Sequence, residues 1–356
     1  MNPVHLWIRA EQRANEDRVG ITPKGARVLI EAGHLVSIEE SDRRVLPTSG
    51  YADVGCSVRP EGSWPDAPED AVIFGLKELP DDATPLRHRH IMFGHAYKGQ
   101  PAGQKLLDRF ARGGGTLYDL EYLCDPTGRR VAAFGYWAGY AGAAVSLMCW
   151  AAQQTGHLCG PVTSYPGANA LRDDVTDRLT AAGETRPTAL VIGALGRVGS
   201  GAKDFCATLN VPMTGWDIAD TARGSPFPEI LDHAIFLNCI LAGAQTPVFV
   251  PASATTDPRR LSVIADIACD PDSDFSPIKV YDQVTDWQQP ARRVHDDPPL
   301  DVTAIDNLPS MLPRESSEDF AAQVLPSLMT LEDIDTGVWG RAKETFDAHI
   351  RRIRNT

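Results

Sequence analysis

The sequence predicts an α/β protein of two domains, each built on a mostly parallel sheet. Short apolar runs alternate with segments of helical spacing along most of the chain, which is the pattern of β-strands joined by crossover helices. The chain has 356 residues, and one domain per roughly 150 residues is the usual size. The pattern therefore indicates the α/β class, and the length indicates two domains.

Composition narrows the kinds of function. Hydrophobic residues make up 43% of the chain and charged residues 23%, as in soluble globular proteins. A net charge of −13 argues against binding to nucleic acid or to an anionic membrane. The 7 cysteines form no CxxC pair, so neither a disulfide framework nor a metal site is expected. Without a signal-peptide pattern or a membrane-length apolar run, we expect a soluble, reduced, cytoplasmic protein.

The first part of the chain alternates between strands and helices. Thr22 and Pro23 predict a helix start, because threonine caps a helix and proline fits its first position. Gly33 predicts the end of that helix. An amphipathic helix is expected over residues 104–112. The predicted strands are residues 4–8, 35–38, 71–76, 91–93 and 116–120.

The remainder begins with a segment rich in small and aromatic residues, 134–153. It predicts a long, closely packed helix, which we expect to link the two domains. Residues 296–301 (DDPPLD) indicate a solvated turn, and residues 318–331 and 338–353 indicate helices. An apolar stripe on the last helix consists of Trp339, Ala342, Phe346 and Ile350. Further strands are predicted over residues 189–192, 213–216, 234–238 and 262–267.

A glycine-rich turn follows the strand at 189–192. Gly193, Gly196 and Gly199 form G-x-x-G-x-x-G, one residue longer than the usual dinucleotide pattern, immediately before a predicted helix. Such a turn lets backbone amides approach a pyrophosphate at the helix N-terminus. Asp217 ends the next strand, where a carboxylate accepts both ribose hydroxyls and repels a 2′-phosphate. These features predict a Rossmann-like domain that binds NAD rather than NADP; a tight turn without a ligand, with Arg197 solvated, is the alternative.

Two basic residues, Lys77 and His95, close predicted strands of the first domain. Ligands gather at the carboxyl ends of parallel strands. Burial between apolar strands lowers the pKa of a lysine toward roughly 7 to 8, which suits proton transfer, and histidine needs little shift. Both are therefore candidate acid/base groups. The alternatives are a lysine extended to solvent beside Glu78 and a histidine bonded to a backbone carbonyl.

Other charged residues offer further candidates. Arg18, Arg129 and Arg130 are potential carboxylate clamps, since a guanidinium donates two parallel hydrogen bonds. Surface arginines are common, so solvation is the alternative for each. Asp119 and Glu121 are either buried acids or ordinary loop residues.

Eight segments together carry a family resemblance. They are RAEQRANEDRVGITP, IFGLKELP, HIMFGHAYKGQ, GTLYDLEYL, GRRVAAFG, IGALGRVGSGA, WDIADTARGSPF and IDNLPSMLPRESS. In this order they resemble the NAD-dependent, lysine-forming saccharopine dehydrogenases of the α-aminoadipate pathway, over about residues 4–351. More distantly, the first half resembles alanine dehydrogenase and the nucleotide-binding part of transhydrogenase.

The resemblance implies two Rossmann-like domains with an active-site cleft between them. Residues 1–134 with 314–356 would bind saccharopine, and residues 135–313 would bind NAD. The family cleaves saccharopine with NAD and water into lysine, 2-oxoglutarate and NADH. Small molecules are then the partners, and a monomer is expected.

Residue roles follow from the same resemblance. Lys77 would take the proton of the secondary amine, and His95 would transfer protons as water adds to the imine. Glu78 and Glu121 would moderate their charge. The substrate-binding positions would be Arg18, Lys77, Gln100, Arg130, Phe134, Ala268, Cys269 and Asp270. The NAD-binding positions would be Arg129, Gly196, Arg197, Asp217, Thr221, Leu241, Ile267, Ile305, Asp306, Asn307 and Leu308.

The sequence also departs from the family. Val198 stands where fungal members have a cysteine paired with the counterpart of Cys239, so that disulfide is not expected. Cys269 replaces a small residue, Leu241 replaces an aromatic one, and the acidic stretch that follows Cys269 (DPDSDF) differs. Two other functions stay open. One is an alanine-dehydrogenase-like or other opine-type dehydrogenase; the other is an NAD-sensing protein without catalysis.

Overall fold

The computed structural model describes residues 3–98, 100–183 and 185–354. The chain forms two compact units, which we call the first and second unit. The first unit combines Met1–Ala133 with Pro313–Thr356, and the second unit is Phe134–Leu312. The second unit is therefore inserted into the sequence of the first.

A parallel sheet of six strands forms the centre of the first unit. Its strands are β1 (His5–Ile8), β2 (Leu35–Glu39), β3 (Ser57–Arg59), β4 (Val72–Phe74), β5 (Arg89–Met92) and β6 (Thr116–Asp119). Their order is β3-β2-β1-β4-β5-β6. The connections reverse direction between β1 and β4, which is where ligands bind in open parallel sheets.

Three helices connect these strands: α1 (Pro23–Glu31), α2 (Thr48–Ala52) and α3 (Pro101–Gly113). The predicted cap of α1 is confirmed, since Thr22 Oγ1 accepts a hydrogen bond from the amide of Gly25 at 3.1 Å. Leu107 and Phe110 of α3 are buried against the sheet. The apolar face of α3 thus covers one side of the sheet.

The second unit begins with the long helix α4 (Gly135–Gln154) and contains a second sheet of six strands. The elements of this unit after α4 are α5 (Ala168–Ala182), β7 (Ala189–Ile192), α6 (Arg197–Thr208), β8 (Met213–Trp216), α7 (Ile218–Thr221), α8 (Pro228–Asp232), β9 (Ile235–Asn238), β10 (Val263–Asp266), β11 (Arg292–Asp296) and β12 (Pro299–Thr303). The strand order in the sheet is β11-β12-β10-β9-β7-β8. All neighbouring strands are parallel except β11 and β12.

Helices α4 and α6 pack with their backbones nearly touching. A Cβ added at Gly139 would lie 1.8 Å from the carbonyl oxygen of Val198, and one at Gly201 would lie 1.9 Å from that of Tyr136. Only glycine fits at either position. Most of α4 is buried, yet within the described ranges no helix combines the length and apolarity that crossing a bilayer requires.

The last two helices, α9 (Pro313–Leu328) and α10 (Gly337–Arg354), belong to the first unit. The apolar stripe predicted on the last helix is confirmed, because all four of its residues are buried. Trp339 packs edge-on against Tyr118 of β6, with ring centroids 6.1 Å apart. Helix α10 therefore covers the β6 end of the sheet.

Several local expectations were wrong. The solvated turn predicted over residues 296–301 is confined to the exposed residues 296–298, which join β11 to β12; the prediction is wrong for Asp301, which lies in β12 and is fully buried. Arg293 and Gln153 bind its carboxylate, so the buried charge is compensated. Helix α4 lies wholly within the second unit rather than linking two domains. The sequence also missed β3 and α5, and α9 begins and ends earlier than predicted.

Candidate active site

The first unit carries a row of charged side chains along the carboxyl edge of its sheet. Glu11 follows β1, Lys77 follows β4, His95 follows β5 and Glu121 follows β6. These four strands are consecutive neighbours in the sheet. Lys77 and His95 each lie three residues beyond the last residue of their strand, Phe74 and Met92 in turn. The topology therefore brings acidic and basic groups together at one edge, where parallel sheets bind ligands.

Lys77 is partly exposed, so the expected burial between apolar strands was wrong. The backbone around it is held by Glu11, whose carboxylate accepts hydrogen bonds from the amides of Leu76 (2.6 Å) and Lys77 (3.0 Å). Arg9 donates to the carbonyl oxygen of Lys77 and pairs with Glu11 at 3.3 Å. Glu11 thus fixes the loop that presents the lysine, a role that sequence reasoning missed.

His95 faces a carboxylate rather than a backbone carbonyl. Its Nδ1 lies 3.4 Å from Glu121 Oε2, and Lys98 Nζ lies 3.0 Å from Glu121 Oε1. The contact with His95, followed by that with Lys98, lowers the pKa of Glu121 to about 2. Glu121 is therefore charged at neutral pH and supplies a negative partner for the imidazole. His95 itself has a φ of +47°, an unusual conformation for a non-glycine residue that recurs at functional sites.

Asp119, the last residue of β6, is completely buried. Its Oδ1 accepts a hydrogen bond from the amide of Glu121 at 2.9 Å. Burial nevertheless raises the pKa of Asp119 to about 6. Asp119 supports the turn that carries Glu121. Of the two alternatives that the sequence left open for Asp119, the buried acid is therefore the correct one.

Arg18 is buried and already engaged by a carboxylate. Its Nε and Nη2 donate to the two oxygens of Glu16 at 2.7 and 2.6 Å. Both side chains line a cavity of about 20 Å³ near the ends of β1 and β4, which has room for roughly one water molecule. Glu16 therefore fixes the orientation of the guanidinium, and sequence reasoning missed it.

The other candidate positions of the first unit are exposed. Arg129 and Arg130 lie on a short hairpin, in which Asp125 Oδ1 accepts hydrogen bonds from the amides of Thr127 and Arg129. Gln100 precedes α3 and is exposed. Glu78 Oε1 lies 3.8 Å from Arg13 Nη1 and is largely exposed.

In the second unit, the glycine turn joins β7 to α6 at the point where the strand order reverses. Gly193 has a φ of +88°, and a Cβ there would lie 2.6 Å from the side chain of Ile240. Gly196 occupies the cap position of α6, where no side chain caps the helix amides. An uncapped helix N-terminus at this place suits a phosphate. The turn therefore fits a dinucleotide, with Arg197 in the first position of the helix.

Asp217 lies directly beside this turn. Its Oδ2 accepts a hydrogen bond from the amide of Leu195, and its Oδ1 accepts one from the amide of Ile218, both at 2.9 Å. Each oxygen keeps a lone pair for a further donor, such as a ribose hydroxyl. The carboxylate is thus oriented by the turn itself.

Three exposed apolar side chains surround the aspartate and the turn. Leu195 is 80% exposed, Ile218 is 81% and Leu241 is 68%. They follow β7, β8 and β9, which are neighbours in the sheet. Exposed apolar side chains grouped at one edge indicate a ligand-contacting surface. Only Leu241 was predicted; Leu195 and Ile218 adjoin predicted residues and were missed.

The remaining candidate positions of the second unit divide by exposure. Asp270 and Asp306 are exposed, and Phe134, Ile267, Ala268, Cys269 and Asn307 are partly exposed. Thr221, Ile305 and Leu308 are buried. Among the described residues, no group of histidine, cysteine and acidic side chains could hold a metal ion.

The comparisons with known proteins first define the fold. The model of the alanine dehydrogenase/PNT N-terminal domain matches residues 7–141. An L-alanine dehydrogenase structure superposes with a TM-score of 0.68 at 19% identity, covering 97% of this chain and 93% of that one. The predicted fold class, α/β with two Rossmann-like units, is thereby confirmed.

The comparison of sequences identifies the family, whereas the comparison of structures identifies only the fold. The saccharopine dehydrogenase [NAD(+), L-lysine-forming] of Yarrowia lipolytica is 46% identical, covering 99% of both chains. That of Candida albicans is 44% identical, covering 99% of this chain and 98% of the relative. The chain belongs to the saccharopine dehydrogenase (NAD+, L-lysine-forming) family, which confirms the resemblance predicted from the sequence.

Proposed function

We propose that the chain is an NAD-dependent dehydrogenase that converts saccharopine, NAD+ and water into L-lysine, 2-oxoglutarate and NADH. Identity of 46% across 99% of both chains carries the proposal. The edge that holds Lys77 and His95 supports it, because the reaction needs proton acceptors for both an amine and a water molecule.

The second unit would hold NAD+. The amides of the glycine turn would bind the pyrophosphate, Asp217 would bind the ribose hydroxyls, and Leu195, Ile218 and Leu241 would contact the adenine. When bound, NAD+ supplies the acceptor for the hydride. The negative charge of Asp217 disfavours the 2′-phosphate of NADP.

The first unit would supply the proton transfers. Lys77 takes the proton of the secondary amine as hydride leaves the neighbouring carbon and a C=N bond forms. His95 accepts a proton as water adds to the imine carbon and passes it to the nitrogen. It then takes the proton of the carbinolamine hydroxyl and passes this to the nitrogen as well, so that the C–N bond breaks and the oxygen becomes that of the ketone. The products are the amine of lysine and the ketone of 2-oxoglutarate. Glu121 orients the imidazole, and Glu11 holds the backbone at Lys77.

Arginines would bind the carboxylates of the substrate. Saccharopine carries three carboxylates, and a guanidinium suits such groups. Arg18 is oriented by Glu16, and Arg130 lies exposed on its hairpin. A substrate with three carboxylates can form more ion pairs with these arginines than alanine, which has one carboxylate.

The decisive experiment measures NADH oxidation by absorbance at 340 nm. With L-lysine and 2-oxoglutarate, we expect rapid NADH consumption and formation of saccharopine, identified by mass spectrometry. Pyruvate with ammonia is the matched competing pair, which an alanine-dehydrogenase-like enzyme would use. Faster oxidation with that pair, or none with lysine and 2-oxoglutarate, would overturn the proposal.

We further propose that the protein acts in the cytoplasm as a monomer. Sedimentation velocity of the purified chain at micromolar concentration tests the second statement. A single species with the mass of one 38.6 kDa chain is expected.

A further inference from the structure

A buried carboxylate lies at the end of β10, next to residues 267–270. Asp266 is 2% exposed, and it is the last residue of its strand. Tyr281 Oη donates a hydrogen bond to its Oδ2 at 2.5 Å, and Asn238 Nδ2 donates to its Oδ1 at 2.9 Å. Because an ionised carboxylate only accepts hydrogen bonds, the amide nitrogen of Asn238 must face it.

The same residue also holds the backbone that follows. The amide of Cys269 donates to the backbone carbonyl oxygen of Asp266 at 3.2 Å. Burial raises the pKa of Asp266, and the hydrogen bonds that its carboxyl accepts oppose this. The charge is thus compensated by the side chain of Asn238 on β9 and by that of Tyr281.

Cys269 is held in an unusual conformation by two sets of contacts. Its φ is +55°, and its thiol donates to the carbonyl oxygen of Ala304 at 3.1 Å. A non-glycine residue keeps a positive φ only where its surroundings enforce it. Asp266 holds this segment from the β10 side, and Ala304, which follows β12, holds it from the other.

The position of Asp266 at the end of β10 indicates what its hydrogen bonds do. Strands β7, β9 and β10 are adjacent, so the segment after β10 lies on the same edge as the glycine turn after β7. We propose that Tyr281, Asn238 and Asp266 form a positioning network, which fixes residues 267–270 where the reacting end of the dinucleotide and the substrate meet them. This inference rests on the proposed function and adds three residues to it.

Tyr281→Phe tests the network by removing one hydroxyl and keeping the ring. Tyr165→Phe is the matched control, because Tyr165 Oη donates to Asp174 Oδ2, also at 2.5 Å, elsewhere in the second unit. We expect Tyr281→Phe to lower kcat about tenfold through misplacement of the reacting groups. The deuterium isotope effect with NADH labelled at the transferred position should rise, while the Kd of NADH, measured by fluorescence, stays within about twofold. Tyr165→Phe should leave kcat, the isotope effect and the Kd of NADH at their wild-type values.

A second readout does not depend on activity. Alkylation of Cys269 by iodoacetamide, followed by peptide mass spectrometry, reports how firmly the segment is held. Labelling should be several times faster in Tyr281→Phe and in Asp266→Asn than in the wild type or in Tyr165→Phe.

The outcomes separate this inference from the proposed function. Three results would overturn the network. They are a rate of Cys269 labelling that is unchanged in both network variants, a labelling rate that rises equally in Tyr165→Phe, and an unchanged isotope effect in an active Tyr281→Phe enzyme. A wild-type enzyme that ignores lysine and 2-oxoglutarate would overturn the proposed function. The alkylation rates would still decide whether the side chains of Tyr281 and Asp266 hold the segment.

Discussion

Nδ1 of His95 lies 3.4 Å from Oε2 of Glu121, across the ends of two neighbouring strands. This contact turns the other ring nitrogen, Nε2, away from the carboxylate. A histidine held at one nitrogen exchanges protons through the other. This geometry supports the proposed acid/base role of His95.

Replacing either of the proposed acid/base residues should abolish most turnover. Lys77→Met and His95→Gln should each lower kcat by orders of magnitude, roughly 10²-fold or more, because each removes a proton acceptor. NADH binding, measured by fluorescence titration, should stay near the wild-type value. The controls are Lys105→Met and His157→Gln, which change exposed residues. Unchanged turnover in both active-site variants would remove these residues from the mechanism.

Glu121→Gln should lower kcat by loosening the imidazole of His95. Glu121 is charged above about pH 2 because His95 and Lys98 lower its pKa. A neutral amide holds the imidazole and the ammonium group of Lys98 less firmly than a carboxylate does, so we expect kcat to fall about tenfold. Glu344→Gln, on an exposed position of α10, is the control. A kcat equal to that of the wild type would contradict a positioning role for Glu121.

Cofactor choice should depend on the charge of Asp217. We expect the wild type to prefer NADH strongly, and Asp217→Asn to narrow the ratio of kcat/KM for NADH over NADPH by about tenfold. The asparagine keeps the shape and removes the charge that repels a 2′-phosphate. Asp232→Asn, an exposed substitution in the same unit, should leave the ratio unchanged. Equal efficiency of the wild type with both cofactors would refute the assignment.

The burial of Asp119 should make the free energy of unfolding depend on pH. Its folded pKa of about 6 lies above its ordinary value of 3.8, so the native state binds a proton that the unfolded state releases. This contribution to the free energy of unfolding is present at low pH and is lost as pH rises through about 6. Relative to the wild type, Asp119→Asn should gain up to about 3 kcal/mol between pH 4 and pH 7. Urea titrations at several pH values measure the difference, and a pH-independent difference would show that Asp119 is charged throughout.

The contact between α4 and α6 should tolerate no side chain at Gly139. Gly139→Ala places a methyl group against the backbone of Val198, and we expect a loss of at least about 2 kcal/mol in the free energy of unfolding of the second unit. Gly160→Ala is the matched control, since nothing lies within 4 Å of its added Cβ. Equal denaturation midpoints for the two variants would contradict the close approach.

The elements that could be predicted from the sequence are those with a continuous apolar run. Strands buried on both faces, such as β4 and β7, are apolar at every residue, as parallel sheets require. Strand β3 (SVR) was missed because all its residues are exposed at the sheet edge. The burial of Asp301 was missed because its partner Gln153 is distant in sequence.

The residues of the candidate site also differ in whether the sequence around them carries a local signal. Lys77, His95 and Asp217 could be proposed from the sequence because each directly follows an apolar run, which is a local signal. Glu11 carries no such signal, since it accepts hydrogen bonds from amides that only the fold brings near. Asp266 does end an apolar run, but its partners Asn238 and Tyr281 are brought to it only by the fold. Glu11, for example, binds amides 65 and 66 positions away. Supporting residues of this kind follow from topology rather than from spacing.

The interrupted first unit has a consequence for synthesis on the ribosome. Strand β6 lacks its cover until α10, with Trp339, has been translated, more than 200 residues after Tyr118. By then residues 134–312 have all emerged and form a unit with its own core. Nascent chains therefore complete the inserted unit first, and the flanking one waits with an uncovered apolar surface, the state in which chaperones bind.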